Sequence, residues 1–193
     1  MSNAATQHLI IAITGASGAL YGVRILQLLH SHTHLVKHLI LSPSGLTTLQ
    51  HETTYTKHDL DQLANHVHNP KAIGSCLASG SFPCAGMIIA PCSMRTLSAV
   101  ANGLSDNLIT RAADVTLKER RKLVLMVRET PFNLAHIRNM ELVTQMGGII
   151  FPPVPSFYHN PQSIHDLVTN TAKHAIALAG FDVELNREIW KGL

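Results

Sequence analysis

The residues most able to do chemistry are Arg128 and Glu129, which directly follow the apolar run Leu123–Val127. A guanidinium group can bind an anion, and a carboxyl group can carry a proton to or from a reacting atom. An ordinary ion pair would also explain these two charges. Their position directly after a buried strand favours a role in a binding site.

A second charged group lies on a predicted helix, Asn107–Glu119. Arg111, Asp114 and Lys118 are spaced i, i+3 and i+7, so they share one face of that helix. Two cations around one acid would suit an anionic ligand. A solvated ladder of ion pairs remains the alternative, although the alanine, valine and leucine residues between them argue against a plain surface helix.

The segment Thr14-Gly15-Ala16-Ser17-Gly18 joins a predicted strand, Leu9–Ile13, to a predicted helix that begins near Ala19. A glycine turn between a strand and a helix exposes backbone N–H groups at the positive end of the helix dipole, which predicts a phosphate site. The spacing differs from G-x-G-x-x-G, so a dinucleotide is not the first expectation. A turn that binds no ligand remains open.

Polar residues also follow two further predicted strands, Val36–Leu41 and Met87–Ala90. Ser42-Pro43-Ser44-Gly45 comes after the first, and Pro91-Cys92-Ser93 comes after the second. Because ligands of open parallel sheets bind beyond the carboxyl ends of the strands, these turns belong to the same predicted site. Turn chemistry alone would also explain the serine, proline and glycine residues. We interpret Cys92 as a small buried residue rather than a reactive thiolate.

Five predicted strands alternate with six predicted helices. The strands are Leu9–Ile13, Val36–Leu41, Met87–Ala90, Leu123–Val127 and Gly148–Phe151. The helices are Ala19–His30, Ser44–His51, Met94–Ala101, Asn107–Glu119, Asn133–Gly147 and Ser163–Leu178. The strands are apolar throughout, so we expect both of their faces to be buried. We therefore predict an α/β fold, a Rossmann-like (flavodoxin-like) doubly wound parallel sheet with helices on both faces.

A single domain is expected over residues 1–193. Residues 51–84 are the least regular part, and they predict a short helix and a mobile loop. We expect residues 1–7 to form a lead outside the fold, disordered or derived from an expression tag, and residues 181–193 to form a tail with a short helix around Trp190.

Composition and charge limit the possible partners. Hydrophobic residues make up 46% of the chain and charged residues 14%, and so low a charge favours burial of surface against further copies of the chain. The net charge of +3 comes without a basic block, so nucleic acid is not an expected partner. No apolar run approaches the roughly 20 residues that cross a bilayer, so no membrane span is expected.

The cysteines and histidines predict neither a disulfide framework nor a metal site. Cys76, Cys84 and Cys92 are odd in number and fit neither C-x-x-C nor a zinc pattern. With no secretory signal before the first strand, they indicate reduced thiols and a cytoplasmic location. His51 and Glu52 begin like H-E-x-x-H, but Tyr55 stands where the second histidine would be.

Taken in order, these segments resemble the UbiX/Pad family of flavin prenyltransferases, within the wider group of homo-oligomeric flavin-containing cysteine decarboxylases. The resemblance runs from Ile10 to about Gly180. Each motif alone is weak, and the ordered set is specific. The set comprises Thr14–Gly18, Pro91–Ser93 followed by Thr96–Ala99, Arg111–Val115, Lys118–Arg121, Val127–Phe132 and Pro155–His159.

The resemblance implies that the chain binds FMN and uses dimethylallyl monophosphate as a substrate. The family joins the dimethylallyl group to N5 and C6 of reduced FMN, and the prenylated FMN serves decarboxylases of the UbiD type. The chain has no D-D-x-x-D motif, which is consistent with a metal-free reaction on a monophosphate. The resemblance also implies trimers that assemble into dodecamers, with flavin at the subunit contacts.

The resemblance further implies roles for individual residues. The expected catalytic residues are Glu129, Lys118 and Glu52, and Glu129 would assist proton transfer and the departure of phosphate. The residues expected around the prenyl phosphate are Lys118, Arg128, Tyr158 and His174. The expected FMN contacts are Gly15, Ala16, Ser17, Ser42, Ser93, Met94, Arg95, Thr96, Arg111 and Arg128.

One position departs from the family pattern. Family members usually carry an arginine in the final helix that grips the phosphate, and the matching place here is His174, with Lys173 beside it. A neutral histidine binds an anion more weakly than arginine does, and its charge varies with pH.

Two other functions remain open. One is an FMN-dependent decarboxylase of the same fold group, which would need oxidised flavin. It would also need a histidine base near the start of the chain and an asparagine segment that binds the substrate, and neither of these two sequence features can be placed here. A non-catalytic FMN carrier would bind flavin and leave it unchanged. A pyridine-nucleotide dehydrogenase is not favoured, because Gly15-x-x-Gly18 lacks the third glycine and no acidic residue clearly ends the second strand.

Overall fold

The computed structural model describes residues 6–158 and 160–181 of the chain. The strands are β1 Gln7–Ile13, β2 Leu35–Leu41, β3 His66–His68, β4 Cys84–Cys92, β5 Lys122–Val127 and β6 Ile149–Ile150. The helices are α1 Ala19–Leu29, α2 Pro43–Glu52, α3 Lys57–Leu63, α4 Met94–Ala101, α5 Leu108–Lys118, α6 Leu134–Gln145 and α7 Ile164–Leu178. A short 3₁₀ helix, Cys76–Ala78, lies between β3 and β4.

These strands pair in parallel in one sheet, in the order β3-β2-β1-β4-β5-β6. The chain begins in the middle of the sheet, runs out to one edge, crosses to β4 and then runs to the other edge. This is the Rossmann strand order, and its direction reverses between β1 and β4. The carboxyl ends of β1 and β4 therefore border the crevice in which such sheets bind their ligands.

The core covers both faces of the sheet because the central strands are apolar on both sides. Residues Leu9–Ile13 of β1 and Leu123–Val127 of β5 are all buried. Helices α1 and α7 pack into one buried cluster, and α4, α5 and α6 contribute to the other. Burying one leucine or isoleucine side chain stabilises a fold by about 1.5–3 kcal/mol, so these two layers hold the strand ends in place.

The predicted α/β architecture is confirmed, and each of the five predicted strands is present. The strand β3 was not predicted, because it has only three residues and pairs at the edge of the sheet. The short helix expected within residues 51–84 is α3.

Two predicted boundaries differ from the structure. Gln7 belongs to β1 rather than to the lead, and Phe181 is buried against the first core cluster rather than lying in a tail. The predicted helix around Trp190 lies outside the described residues. Within residues 6–158 and 160–181, no helix combines the length and the apolar character that crossing a bilayer requires.

Candidate active site

A cleft of about 440 Å³ lies at the carboxyl edge of the sheet, beside the crevice between β1 and β4. The turn at Gly15, the first turns of α2 and α4, and Asn107 before α5 line it, and Pro70 and Lys71 close one side. Small-molecule sites in proteins have volumes of about 300–1,000 Å³, so this cleft can hold a ligand of cofactor size.

The side chain of Thr14 fixes the crevice by joining β1 to β4. Its hydroxyl donates to the carbonyl of Pro91 at 2.7 Å and accepts from the backbone N–H of Ser93 at 2.9 Å. Both bonds are shielded from solvent, since Thr14 is buried. The turn after β1 and the start of α4 are therefore held together as one unit.

Gly15 brings the turn after β1 close to the start of α2. A Cβ atom at this position would lie well inside van der Waals contact with the Cβ of Ser44. Because neither atom has a rotatable bond by which to move away, only glycine lets these two segments meet here. This close approach shapes the floor of the cleft.

Serines cap two of the helices that begin at the cleft, α2 and α4. The Ser42 hydroxyl accepts from the N–H of Gly45 at 2.9 Å, and the Ser93 hydroxyl accepts from the N–H of Thr96 at 3.3 Å. The first turn of a helix has four N–H groups without intrahelical partners, and one cap satisfies only part of them. The remaining N–H groups, such as those of Met94 and Arg95, fit an anionic group of a ligand.

The start of α1 binds a carboxylate of the chain itself. Oε2 of Glu52, the last residue of α2, accepts from the N–H of Gly18 at 2.8 Å and from the N–H of Ala19 at 3.1 Å. Gly18 has a φ of 101°, a left-handed conformation that favours glycine and turns its N–H toward the carboxylate. Glu52 thus accepts from the N–H groups at which the glycine turn predicts a phosphate, and a phosphate at this helix start stays a prediction.

The environment of Glu52 keeps its carboxyl group ionised. Partial burial acts to raise its pKa, but hydrogen bonds from the Ser17 side chain and from the N–H groups of Gly18 and Ala19, together with the charge of Arg128, outweigh it and lower the pKa. Arg128 also acts electrostatically on Tyr21, whose pKa is raised by burial in spite of that charge. Ser17 and Glu52 are thus in contact, and Arg128 lies within electrostatic range of the same carboxylate.

Arg128 and Glu129 follow β5 next to the end of β4. The N–H of Arg128 donates to the carbonyl of Cys92 at 3.2 Å, which fixes the backbone where the strand ends. The side chain of Arg128 is exposed and that of Glu129 is half-buried. Oε1 of Glu129 accepts from the N–H of Thr130 at 3.0 Å, so the second carboxylate oxygen can face a ligand.

Comparison with known proteins places the chain in a family. The family model "Flavoprotein" matches residues 1–175. Flavin prenyltransferase UbiX of Neisseria meningitidis serogroup B is 51% identical over 187 residues, which is 97% of this chain and 98% of that protein. The chain belongs to the UbiX flavin prenyltransferase family.

Two solved structures are similar along nearly the whole chain. The dodecameric FMN-dependent UbiX-like decarboxylase from Escherichia coli O157:H7 has a TM-score of 0.92 and 40% identity, and covers 96% of this chain and 100% of its own. AnUbiX (PadA1) in complex with FMN and dimethylallyl pyrophosphate has a TM-score of 0.92 and 42% identity, and covers 97% and 98%. The resemblance to the UbiX/Pad family read from the sequence is confirmed.

The remaining cofactor residues predicted from the family lie around the cleft or near it. Arg95 lines the cleft, and its guanidinium pairs with Asp106. Thr96 is buried, and its Oγ1 accepts from the Ser93 hydroxyl at 3.1 Å. Met94 is partly buried against the second core cluster. Ala16 lies in the turn between Gly15 and Ser17 and is half-buried.

Two predicted residues of α5 lie away from the cleft of their own chain. Nε of Arg111 donates to the carbonyl of Ala78 at 3.2 Å, and its guanidinium pairs with Asp114 at 2.7 Å. Lys118 pairs with Glu119 at the last turn of α5. Since α5 begins at the cleft and has 11 residues, Lys118 lies about 15 Å farther along the helix axis, at the opposite edge of the sheet.

Tyr158 and His174 lie beyond β6. Tyr158 is exposed in the loop after that strand. The ring of His174 meets the ring of Phe151 edge to face, with 5.0 Å between their centroids, and Phe151 follows β6 directly. His174 therefore lies on α7 beside the last strand, rather than at the crevice between β1 and β4.

The cysteine interpretation is confirmed for Cys92. Its side chain is fully buried, and burial raises the pKa of its thiol far above the ordinary value, which removes it as a nucleophile. Among the residues that the structure describes, no group of three or more histidine, cysteine, aspartate or glutamate side chains could hold a metal ion.

Sequence reasoning missed two features of the cleft. Asn107 caps α5 at the wall of the cleft, and asparagine before an apolar helix was a usable signal. Lys71 comes from an irregular loop, and nothing in the sequence places it beside Ser42 or Ser93.

Proposed function

We propose that this chain transfers the dimethylallyl group of dimethylallyl monophosphate to N5 and C6 of reduced FMN, without a metal ion. The observation that carries the proposal is the contact of Glu52 with Ser17 and with the start of α1, within electrostatic range of Arg128 and next to a cleft lined by helix starts. Family membership supports it, since a curated relative is named a flavin prenyltransferase and a solved relative binds FMN and dimethylallyl pyrophosphate.

The cleft suits the phosphate and ribityl parts of FMN. The first turns of α2 and α4 offer N–H donors at their positive dipole ends, and the Arg95 guanidinium adds a cation. Because Glu52 fills the start of α1, the FMN phosphate belongs at α2 and α4. When bound, reduced FMN supplies the electron-rich atoms that receive the allylic carbon, so the protein needs no nucleophile of its own.

The phosphate leaving group needs fixed positive charge and hydrogen-bond donors. Arg128 and Tyr158 are suited to this task within one chain. Lys118 lies at the opposite edge of its own sheet, so we propose that a neighbouring subunit supplies it. These cations take the place that a divalent metal holds in other prenyl transfers.

We also propose that the chain assembles into a homo-oligomer, a dodecamer built of trimers. Large apolar side chains are exposed along α6 and in the loops before it and after β6, among them Leu134, Ile137, Val154 and Phe157. Apolar surface of this extent in a protein of low charge marks subunit contacts. A solved relative is dodecameric, which supports this part of the proposal.

Glu129 is the proton carrier in this proposal, and Glu52 is not. The lowered pKa of Glu52 keeps it a carboxylate, so it stabilises developing positive charge on the allylic group. Glu129 directly follows Arg128 at the carboxyl end of β5, and its carboxylate accepts a hydrogen bond from the N–H of Thr130, so the proposal assigns proton transfer to this carboxyl group.

We further propose that the prenylated FMN passes to a UbiD-type decarboxylase in the cytoplasm. The three cysteines are free thiols, and the exposed one, Cys76, would be kept reduced in that compartment.

The test is anaerobic incubation of the protein with reduced FMN and dimethylallyl monophosphate, followed by mass measurement of the extracted flavin. The proposal expects a gain of one dimethylallyl unit, which persists in the presence of EDTA. An FMN-dependent decarboxylase and an FMN carrier would both leave the mass of the flavin unchanged. An unchanged mass would therefore refute the proposed reaction. Loss of the product on adding EDTA alone would refute metal independence.

A further inference from the structure

Four histidines from three neighbouring strands lie together under one loop. His8 belongs to β1, His38 to β2, and His66 and His68 to β3. The loop above them, residues 69–83, connects β3 to β4 and is called the strap here. The family resemblance and the proposed reaction assign no role to these histidines.

Three of the histidines and a serine form a continuous chain of hydrogen bonds. Nδ1 of His8 lies 2.9 Å from Nε2 of His38, and Nδ1 of His38 lies 3.0 Å from Nε2 of His68. Nδ1 of His68 lies 3.0 Å from the hydroxyl of Ser75, which belongs to the strap. The chain thus runs from β1 through the buried His38 to the strap.

The strap rests on this cluster and also forms a wall of the cofactor cleft. The ring of Phe82 meets the rings of His8 and His38 edge to face, with centroids 5.0 and 5.3 Å apart. At the other end of the strap, Pro70 and Lys71 line the cleft. The carbonyl of Pro70 also accepts from the N–H of Leu108, at the start of α5, at 2.8 Å. A change under the strap can therefore reach the cleft.

Proton counting shows why the chain depends on neutral imidazoles. Each contact between two rings needs one proton, and a neutral imidazole has one N–H and one acceptor nitrogen. The neutral chain satisfies every contact when all N–H groups point the same way. One added proton can still be accommodated. Two added protons cannot, because either two N–H groups would face each other or His38 would have to accept at both nitrogens.

The surroundings oppose extra protons. His66 stacks on His38 with centroids 4.9 Å apart. The strap's carbonyls at Ala78 and Gly80 accept from the guanidinium groups of Arg111 and Arg121. The buried Cys84 thiol donates toward backbone carbonyls. The carboxylate of Glu119, which lies next to Gly80, forms an ion pair with Lys118.

Among the residues that the structure describes, no carboxylate forms an ion pair with these histidines. Burial, followed by the charges of His68, His66 and His8, lowers the pKa of His38 to about 3, and burial, followed by the charge of His66, lowers the pKa of His68.

We propose that the histidine cluster is a pH-sensitive latch that holds the strap on the sheet at neutral pH and releases it as protons accumulate. Release displaces Pro70 and Lys71 and weakens the binding of FMN in the cleft. The second half of this statement rests on the proposed function, because it takes FMN as the occupant of the cleft. Acidification would then promote loss of the flavin.

The test compares FMN affinity at about pH 7.5 and about pH 5.5 for the wild type and for His68→Gln. Glutamine can still hydrogen-bond to Ser75 and to His38, but it cannot take a proton in this range. We expect the wild-type Kd to rise by roughly tenfold at the lower pH, because a histidine freed by release of the strap returns to its ordinary pKa of about 6.5 and takes up a proton that the closed cluster excludes. The variant should match the wild type at neutral pH and lose most of that rise. Protonation of the FMN phosphate affects the wild type and the variant equally, so it does not contribute to the difference between their changes in Kd.

Two further variants sharpen the comparison. His38→Asn removes the central ring and should also flatten the pH response if the protein folds. His34→Gln changes an exposed histidine outside the cluster and should behave like the wild type. An equal rise in Kd in the wild type and in His68→Gln would overturn the proposal.

Hydrogen exchange tests the latch without reference to FMN. Protection factors are corrected for the intrinsic pH dependence of exchange. When the pH of the wild-type holoprotein is lowered from about 7.5 to about 5.5, they should fall for the strap amides and stay constant for the amides of α1. Constant protection of the strap would refute the latch. Absence of FMN binding at neutral pH would instead refute the proposed function, while the exchange measurement would still decide whether the strap is released.

Discussion

Removing the carboxylate of Glu52 should destabilise the start of α1 by a defined amount. Glu52→Ala removes both hydrogen bonds to Gly18 and Ala19 and also the negative charge at the helix dipole. Glu52→Gln keeps an amide oxygen that can accept the same hydrogen bonds, and removes only the charge. The pair of variants therefore separates hydrogen bonding from electrostatics.

The expected magnitudes follow from the exposed position of Glu52. Losing a capping acceptor costs about 0.5–2 kcal/mol, and losing a charge at a helix start costs about 0.3–1 kcal/mol. We expect Glu52→Ala to lower the free energy of unfolding by about 1–2 kcal/mol and Glu52→Gln by about 0.3–1 kcal/mol. In a chain of this size, the alanine change should lower Tm by about 2–8 °C.

The effect of the charge should depend on pH in one direction. The pKa of Glu52 is lowered in the folded state from its ordinary value of 4.5, so the unfolded chain binds the proton more tightly. The charge therefore stabilises the fold fully above about pH 5 and stops doing so as the pH falls through the lowered pKa. The difference between the wild type and Glu52→Gln should vanish in acid.

Thermal and urea unfolding at one protein concentration would measure these differences, because assembly makes Tm depend on concentration. Gln62→Ala, an exposed change on α3, is the control and should stay within about 0.5 kcal/mol of the wild type. If Glu52→Ala were as stable as this control, or if the Glu52→Gln difference grew on acidification, the capping role argued here would be refuted.

Three further outcomes are expected. Glu129→Gln should retain FMN and lose most prenylation, because it can no longer carry a proton; full turnover with reduced FMN under anaerobic conditions would contradict this. His174→Arg should lower the Kd for dimethylallyl monophosphate if this position contacts the phosphate, and an unchanged Kd would place His174 outside that site. Gly15→Ala should weaken FMN binding and cost about 1–3 kcal/mol of stability, because its Cβ would collide with Ser44. Gly74→Ala, whose Cβ would have nothing within 4 Å, is the control for calorimetry and FMN titration, and equal behaviour of the two alanine variants would contradict the close approach.

The sheet could be predicted from the sequence because its central strands need burial on both faces. Runs such as Leu9–Ile13 and Leu123–Val127 carry no polar residue, and alternation with helices leaves few arrangements other than a parallel sheet. The strand His66–His68 could not be predicted in the same way. It is short and partly polar, and its pairing with β2 is decided by tertiary contacts.

Site residues that directly follow a strand could be placed from the sequence. Residues whose position depends on the length and direction of a helix could not. Arg128 comes directly after β5, so its place at the carboxyl edge follows from the sheet. The contact of Glu52 with Gly18 depends on the length and direction of α2, which sequence spacing does not give. Lys118 shares a helix with Arg111, and a shared helix face says nothing about which end of the sheet it reaches.

Because Lys118 lies far from the cleft of its own chain, the proposed catalysis would be a collective property of the assembly. If a neighbouring copy supplies that lysine, a substitution of Lys118 removes the activity of the adjacent subunit rather than that of the subunit that carries the substitution. Two inactive proteins, one altered at Lys118 and one at Glu129, should then regain part of their activity when dissociated and reassembled together. Conversely, dilution that separates the subunits should abolish turnover, even though each isolated chain keeps its cleft.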